Sequence, residues 1–360
     1  MSAPNAPRFD KPFTLVTTVF NEISRLDNTI RDIENQTVRP TEVVIVDAGS
    51  KDGTQERLER WSRESTIKVV VIVAPKCNVA EGRNIAIEKA SYDLIASTDF
   101  GCQYHPLWLE SLMTPFNDPK IVCVAGAFEV KEDLIDTLAA RADYILQRGY
   151  KLVMDEYFVP SSRSIAYYKH VWLKAEKYPE WLTLAADDTI YWYVLKAKQV
   201  PTLYVEEPYV YWLRHTSYKG FGKESFRYGL GQGEGKIQFR NFISTIIETS
   251  LRWGLVLTLP VLLVLLLMVA LGASVPTLVW VGLLPILFLQ LTFGMRSYRF
   301  AWRSYQMVKN EKYNLEAFWA SLYLTEINRY QHLKGYYQGY YTKDPKKVKG
   351  AAELAKILGK

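Results

Sequence analysis

Val43-Val-Ile-Val-Asp-Ala-Gly-Ser-Lys-Asp-Gly-Thr54 is four consecutive apolar, β-branched residues running straight into an acidic, glycine-bearing turn. A strand that is apolar on successive positions, not alternate ones, is buried on both faces, the signature of a sheet covered by crossover helices on either side. The pattern recurs in both directions along the chain. Leu15 to Phe20, Val69 to Ala74 and Leu94 to Thr98 are further apolar runs, and Ile23, Leu26, Ile30 and Ile33 between the first two have helical spacing. The first hundred residues therefore read as an α/β unit with a mostly parallel sheet.

Ligands in such sheets bind beyond the carboxyl ends of the strands, so the residues that follow each run are the ones to inspect. Three of these ends carry acids: Asn21-Glu22, Asp47 through Asp52, and Asp99-Phe-Gly-Cys-Gln103. Neither G-x-G-x-x-G nor G-x-x-x-x-G-K-[ST] is present, so no glycine cradle for phosphates is indicated. A diphosphate would need another counter-charge, and a divalent cation held by strand-end oxygens supplies one.

Four stretches, Val16-Thr-Thr-Val-Phe-Asn-Glu22, Val43 to Thr54, Ala80-Glu-Gly-Arg-Asn-Ile-Ala86 and Ser97-Thr-Asp-Phe-Gly101, resemble in order and spacing the family 2 inverting glycosyltransferases of GT-A fold, over about residues 13–235. The resemblance implies a nucleotide-sugar donor, UDP- or GDP-linked. Asp47 would accept from the base, Asn21, Glu22 and Asp52 would line the nucleotide pocket, and Gly82, Arg83 and Asn84 would approach ribose and phosphates. Asp52-Gly53 also suits a plain turn, and Asp47 a helix cap. The family's second strand-four acid is replaced by Gly101. Asp99, with Gln103 and His215 as further candidates, would then hold Mn²⁺ or Mg²⁺.

An inverting transfer needs a base near the acceptor hydroxyl and positive charge on the leaving diphosphate. Ala185-Ala-Asp-Asp-Thr189 resembles the family's acidic pair, which makes Asp188 the expected base and Asp187 a sugar-hydroxyl acceptor. Adjacent acids also suit a helix N-terminus without any chemistry. Arg163, Arg214 and Arg227 are expected on phosphate or acceptor, and the glycines of Phe226 to Lys236 suit a mobile segment closing over phosphates.

No charged residue occurs between Arg252 and Arg296. A helix that long is about twice the roughly 30 Å of a bilayer core, so two spans are expected, 253–271 and 275–295, turning at Gly272-Ala-Ser-Val-Pro276. Phe239, Phe242, Ile243, Ile246 and Ile247 mark an amphipathic interfacial helix over 236–252. Residues 296–360 read as basic, Tyr-rich C-terminal helices, and 1–12 as a flexible tail. Arginines on both sides of the hairpin put the catalytic domain and both termini in the cytoplasm.

Net charge is only +6, with Lys and Arg concentrated toward the C-terminus, which points to an anionic membrane surface and not to nucleic acid. Three cysteines without metal-type spacing fit a reducing compartment. The expected function is sugar transfer to a membrane-associated acceptor: polyprenyl phosphate, a lipid-linked glycan or a glycolipid. The alternatives are a catalytically degenerate nucleotide-sugar-binding scaffold, motivated by Gly101, and a processive polysaccharide synthase. The latter is opposed by the two spans and by the lack of a Gln-x-x-Arg-Trp motif. Oligomeric state is not legible.

Overall fold

The computed structural model describes residues 9–148 and 158–359. Its first third is a regular alternation: β1 (Thr14–Val19), α1 (Ile23–Glu34), β2 (Glu42–Asp47), α2 (Thr54–Glu64), β3 (Lys68–Val73), α3 (Val79–Lys89) and β4 (Leu94–Ser97). These strands lie in the order β3-β2-β1-β4 and all pair in parallel. Successive residues of a strand serve opposite layers. Leu15, Val43 and Ile45 pack with Leu26, Leu58 and Trp61 of α1 and α2, while Val16, Val44 and Val46 pack with Ala86 and Ile87 of α3. That division is why the runs are apolar throughout.

The second half of the sheet departs from the expected parallel pattern. After β5 (Cys102–Tyr104), α4 (Trp108–Met113), β6 (Cys123–Glu129) and α5 (Leu138–Leu146) come β7 (Ile165–Tyr168), α6 (Lys169–Lys174), α7 (Asp187–Ala197) and β8 (Leu203–Trp212). The complete order is β3-β2-β1-β4-β7-β6-β8-β5. β7 inserts antiparallel between β4 and β6, and β5 closes the edge antiparallel to β8. The sheet is therefore mixed, because β7 enters it from the opposite end to β4 and β6.

The remaining chain is helical: α8 (Tyr218–Glu234), α9 (Phe239–Ala270), α10 (Thr277–Leu289), a π-helical turn at Gln290–Gly294, α11 (Arg296–Val308), α12 (Leu315–Tyr340) and α13 (Pro345–Ile357). Phe239–Ala270 and Thr277–Gly294 are long and apolar enough to cross a membrane, and their apolar stretches are almost unburied. The expected interfacial helix and first span form one continuous 32-residue helix. Within the hairpin, Gln290 Nε2 donates to Thr258 Oγ1 at 2.9 Å.

Two expectations for the C-terminal part change. The glycines of Phe226 to Lys236, expected as a mobile segment, are packing positions: those up to Gly233 lie inside α8, where a Cβ on Gly229 would stand 2.2 Å from the His332 carbonyl oxygen and one on Gly233 2.3 Å from that of Tyr336. Gly335 and Gly339 of α12 return the contact against Phe226 and Leu230. The pair thus meets backbone to backbone, which only glycine permits on both sides. Second, the basic stretch Lys343 to Lys349 largely forms α13, docked on α8 and the loop before α7: Lys347 Nζ lies 2.8 Å from buried Glu234, and Gly350 sits against the Trp181 ring. Trp319, Tyr323, Tyr330, Tyr337 and Tyr341 of α12 and its C-terminus remain exposed, whereas Tyr336 is fully buried and stacks on Phe242. Residues 1–8 of the expected tail and Lys360 lie outside the described residues, and Phe9 is buried, edge-on to Phe13.

Candidate active site

At the carboxyl ends of β1 and β4, facing the start of α7 and the middle of α8, lies a cavity of about 600 Å³, a size that suits a substrate. Its centre is Arg83. This side chain is buried on α3, whose start is fixed by a capping box between Asn78 and Glu81. One guanidinium nitrogen binds Asp99, at the end of β4, and the other binds Asp187, at the start of α7. Arg163 approaches the other side of Asp99 at 3.8 Å, its guanidinium lying over the Trp212 ring at 4.1 Å.

One cation shared between buried Asp187 and half-buried Asp99 does not serve them equally. Burial opposes the charge on Asp99, but Arg83, with help from Arg163, overrides it and holds the carboxyl below its ordinary value. Burial dominates at Asp187, with Asp188 and Asp99 adding like charge, and pushes it up to about 6 against the pull of Arg83. Asp188, one residue on, points differently because successive helical positions diverge by about 100°. It lines the cavity, accepting from Ser161 Oγ at 3.3 Å and from the Thr189 backbone N–H at 2.8 Å.

The loop that delivers these acids is held from three sides. Asn78 donates its amide to the carbonyls of Glu180 and Leu182, Asn84 to that of Tyr178, and Glu234 accepts from the Thr183 N–H at 2.8 Å. Ala186 turns the chain into α7 at φ +69°. Gly231 lets α8 approach, since a Cβ there would meet the Ala185 carbonyl oxygen at 2.0 Å.

The remaining expected site residues separate into three groups. Asn21, Asp47 and Asp52 tie the β1–α1 and β2–α2 loops together. Asp47 accepts from Ser50 Oγ at 2.6 Å, Asn21 Oδ1 from the Lys51 N–H at 2.9 Å, and Asp52 from the Ile23 N–H at 3.1 Å. Glu22, His215 and Arg227 line the cavity; burial raises the Glu22 carboxyl and lowers the His215 imidazole from their ordinary values. Gly82, Asn84, Gln103 and Arg214 do not line it. A Cβ on Gly82 would come 2.7 Å from Thr18, so the lack of a side chain lets α3 pack closely on β1. Asn84 is buried and accepts from Trp172 and Tyr178; Gln103 pairs with Tyr211 across β5 and β8. Arg214 is buried between Asp143 and Glu224, and so steadies Glu224, which does line the cavity. Glu224 and Tyr228 line the cavity without having been singled out from the sequence; they sit at one-turn spacing on α8, beside Arg227.

Whether a divalent cation fits depends on the donor set. Among the described residues no three His, Cys, Asp or Glu side chains converge into a cage. Asp99 and His215 nevertheless face the same cavity, and a cation that arrives with a diphosphate takes most of its oxygen ligands from phosphate and water. Gly101 adopts φ +94°, which suits glycine and strains an Asp. The carboxylate nearest to where its Cβ would stand is that of Glu22, at 3.9 Å. The residues present thus fit a substrate-borne cation and not a permanently caged one.

Comparison with known proteins agrees with this geometry. Residues 14–167 match glycosyl transferase family 2. Glycosyltransferase AglE of Haloferax volcanii is 28% identical over 135 residues, which are 37% of this chain and 44% of AglE. Chondroitin synthase of Pasteurella multocida is 25% identical over 138 residues, 38% of this chain and 14% of the synthase. The matches thus span less than half the length of these relatives. Mannosyltransferase PcManGT of Pyrobaculum calidifontis, solved with GDP-Man and Mn²⁺, superposes with a TM-score of 0.53 over 94% of this chain and 91% of that one, at 13% identity, which shows a shared fold.

Proposed function

We propose that this chain, which carries a family 2 glycosyltransferase domain of GT-A-like fold, transfers one sugar with inversion from a UDP- or GDP-sugar to a membrane-associated acceptor. The observation that carries the reading is the convergence of Asp188 with the Asp99–Arg83–Asp187 array in one cavity at the strand ends. Asp188 is the general base: it is the carboxylate of the pair that Arg83 leaves unneutralised, so it is available to accept a proton from an incoming hydroxyl. The deprotonated oxygen attacks the anomeric carbon opposite the diphosphate, whose bond to that carbon breaks. Arg163 and Arg227 take up the charge that develops on the leaving group.

Asp99 and His215 would hold a Mn²⁺ or Mg²⁺ ion, which offsets further charge on the diphosphate. Mn²⁺ and GDP-Man in a protein of the same fold support both the cation and the donor class. Arginines on either side of the apolar hairpin support a catalytic domain on the cytoplasmic face.

The base narrows the acceptor. A phosphate monoester is largely ionised at neutral pH and attacks without a base, whereas a sugar hydroxyl needs one. Asp188 therefore favours a lipid-linked glycan or glycolipid over bare polyprenyl phosphate. The test is transfer by the full chain in detergent from UDP- and GDP-sugars, with Mn²⁺ or EDTA, to polyprenyl phosphate and to a glycosylated lipid. The expected result is metal-dependent transfer to the glycosylated lipid. No transfer to any acceptor, with nucleotide still bound, would favour the scaffold reading.

A further inference from the structure

Where α9 leaves the catalytic domain, its first turns are not sealed. Phe239, Ile243 and Ile247, one turn apart on the helix, form with Phe293 the apolar wall of a groove of about 530 Å³. The polar side of the groove carries Arg240, Arg296 and Glu248. Arg240 is exposed, and among the described residues no hydrogen bond or ion pair takes up its guanidinium. Arg296 lies 3.1 Å from Glu248 and is 58% exposed.

The charges behind the groove do not balance. Glu248 is contacted also by Arg252 at 3.4 Å and Arg329 at 3.2 Å, and Arg252 reaches Glu326 at 2.7 Å. Three arginines thus share two carboxylates, and with the unpaired Arg240 the surplus is two positive charges beside an apolar wall. The place is informative as well. Arg252 and Arg296 bound the uncharged stretch of the hairpin, and α9 runs unbroken from the groove into it. When the hairpin crosses a bilayer, Ile247, Glu248 and Arg296 lie at the level of lipid headgroups.

We propose that this groove binds one anionic phospholipid, with its phosphate between Arg240 and Arg296 and an acyl chain along Ile243, Ile247 and Phe293. The charge surplus selects against a zwitterionic lipid, and the exposed aliphatic wall needs a hydrocarbon partner. The proposal rests on the hairpin spanning a membrane and is independent of sugar transfer.

The test uses the full chain. Flotation with phosphatidylcholine vesicles checks the anchor by itself. Nanodiscs with equal phosphatidylglycerol and phosphatidylcholine are then followed by native mass spectrometry of the lipid that stays bound on release. The expected result is several-fold enrichment of phosphatidylglycerol, falling about fivefold in Arg240→Gln, the effect of one arginine at a charged membrane surface. An Ile243→Asp variant should lose both lipids. Equal retention of the two lipids, unchanged retention in Arg240→Gln, or displacement of phosphatidylglycerol by an equal amount of polyprenyl phosphate would overturn the proposal. Failure to float would overturn it at its premise while leaving the catalytic reading intact.

Discussion

The molecule contains two buried clusters of arginine and carboxylate built on opposite plans. Around Arg83, one guanidinium serves two acids and the cluster opens onto a cavity. Around Glu248, one carboxylate serves three guanidiniums, and the cluster ties α9 to α11 and α12. The first leaves carboxylates short of positive charge at the mouth of a cavity, where the proposed transfer would receive a polyhydroxyl substrate and a proton. The second leaves positive charge over at the entrance to the apolar hairpin. Burial of ion pairs is therefore not itself a mark of function; the sign of the imbalance, and whether the cluster faces space, separate the site from the tie.

The sharpest way to break the comparison is Arg83→Met, which leaves buried Asp187 and half-buried Asp99 without their shared cation. We expect a loss of about 3–5 kcal/mol of stability, read by denaturant melts in detergent, together with loss of nucleotide binding. Glu248→Gln tests the other cluster. It should cost roughly 1.5–3 kcal/mol, as for charge-assisted hydrogen bonds, while donor affinity stays unchanged; a parallel loss of donor affinity would erase the distinction drawn between the clusters. Gly229→Ala probes the seam that joins them, because its Cβ would press on the His332 carbonyl 2.2 Å away. Overpacking of this kind costs about 1–3 kcal/mol. Turnover should fall more than donor affinity, since Glu224, Arg227 and Tyr228 ride on the same helix.

Legibility in the sequence divides along similar lines. The β1 to β4 half was readable because crossover burial acts residue by residue on local stretches such as Val43 to Val46. The adjacent Asp187 and Asp188, and the uncharged run from Trp253 to Met295, were readable for the same reason: each signal is contiguous. What could not be read depends on partners far along the chain. Arg83, expected near the donor phosphates, lines the cavity and also clamps two acids, one of them 104 residues away. The glycines of α8 looked like flexibility and are contact points against α12, a helix that begins some eighty residues later. Arg214 looked like a phosphate contact and supports Glu224. Lys347 sat in a basic stretch suited to a membrane and instead bonds Glu234. The antiparallel insertion of β7 is likewise a matter of topology, invisible in Ile165 to Tyr168 alone.

In the proposed reaction Asp188 removes the acceptor's proton while the Asp99–Arg83–Asp187 array holds the donor. The most direct test is single-turnover transfer to a hydroxyl acceptor by Asp188→Asn beside a titration of its donor affinity. We expect a fall of at least about a hundredfold in the transfer rate, the usual scale for loss of a general base, with donor affinity within about twofold of the unaltered protein. Transfer at the unaltered rate, or a loss explained wholly by weaker donor binding, would contradict it.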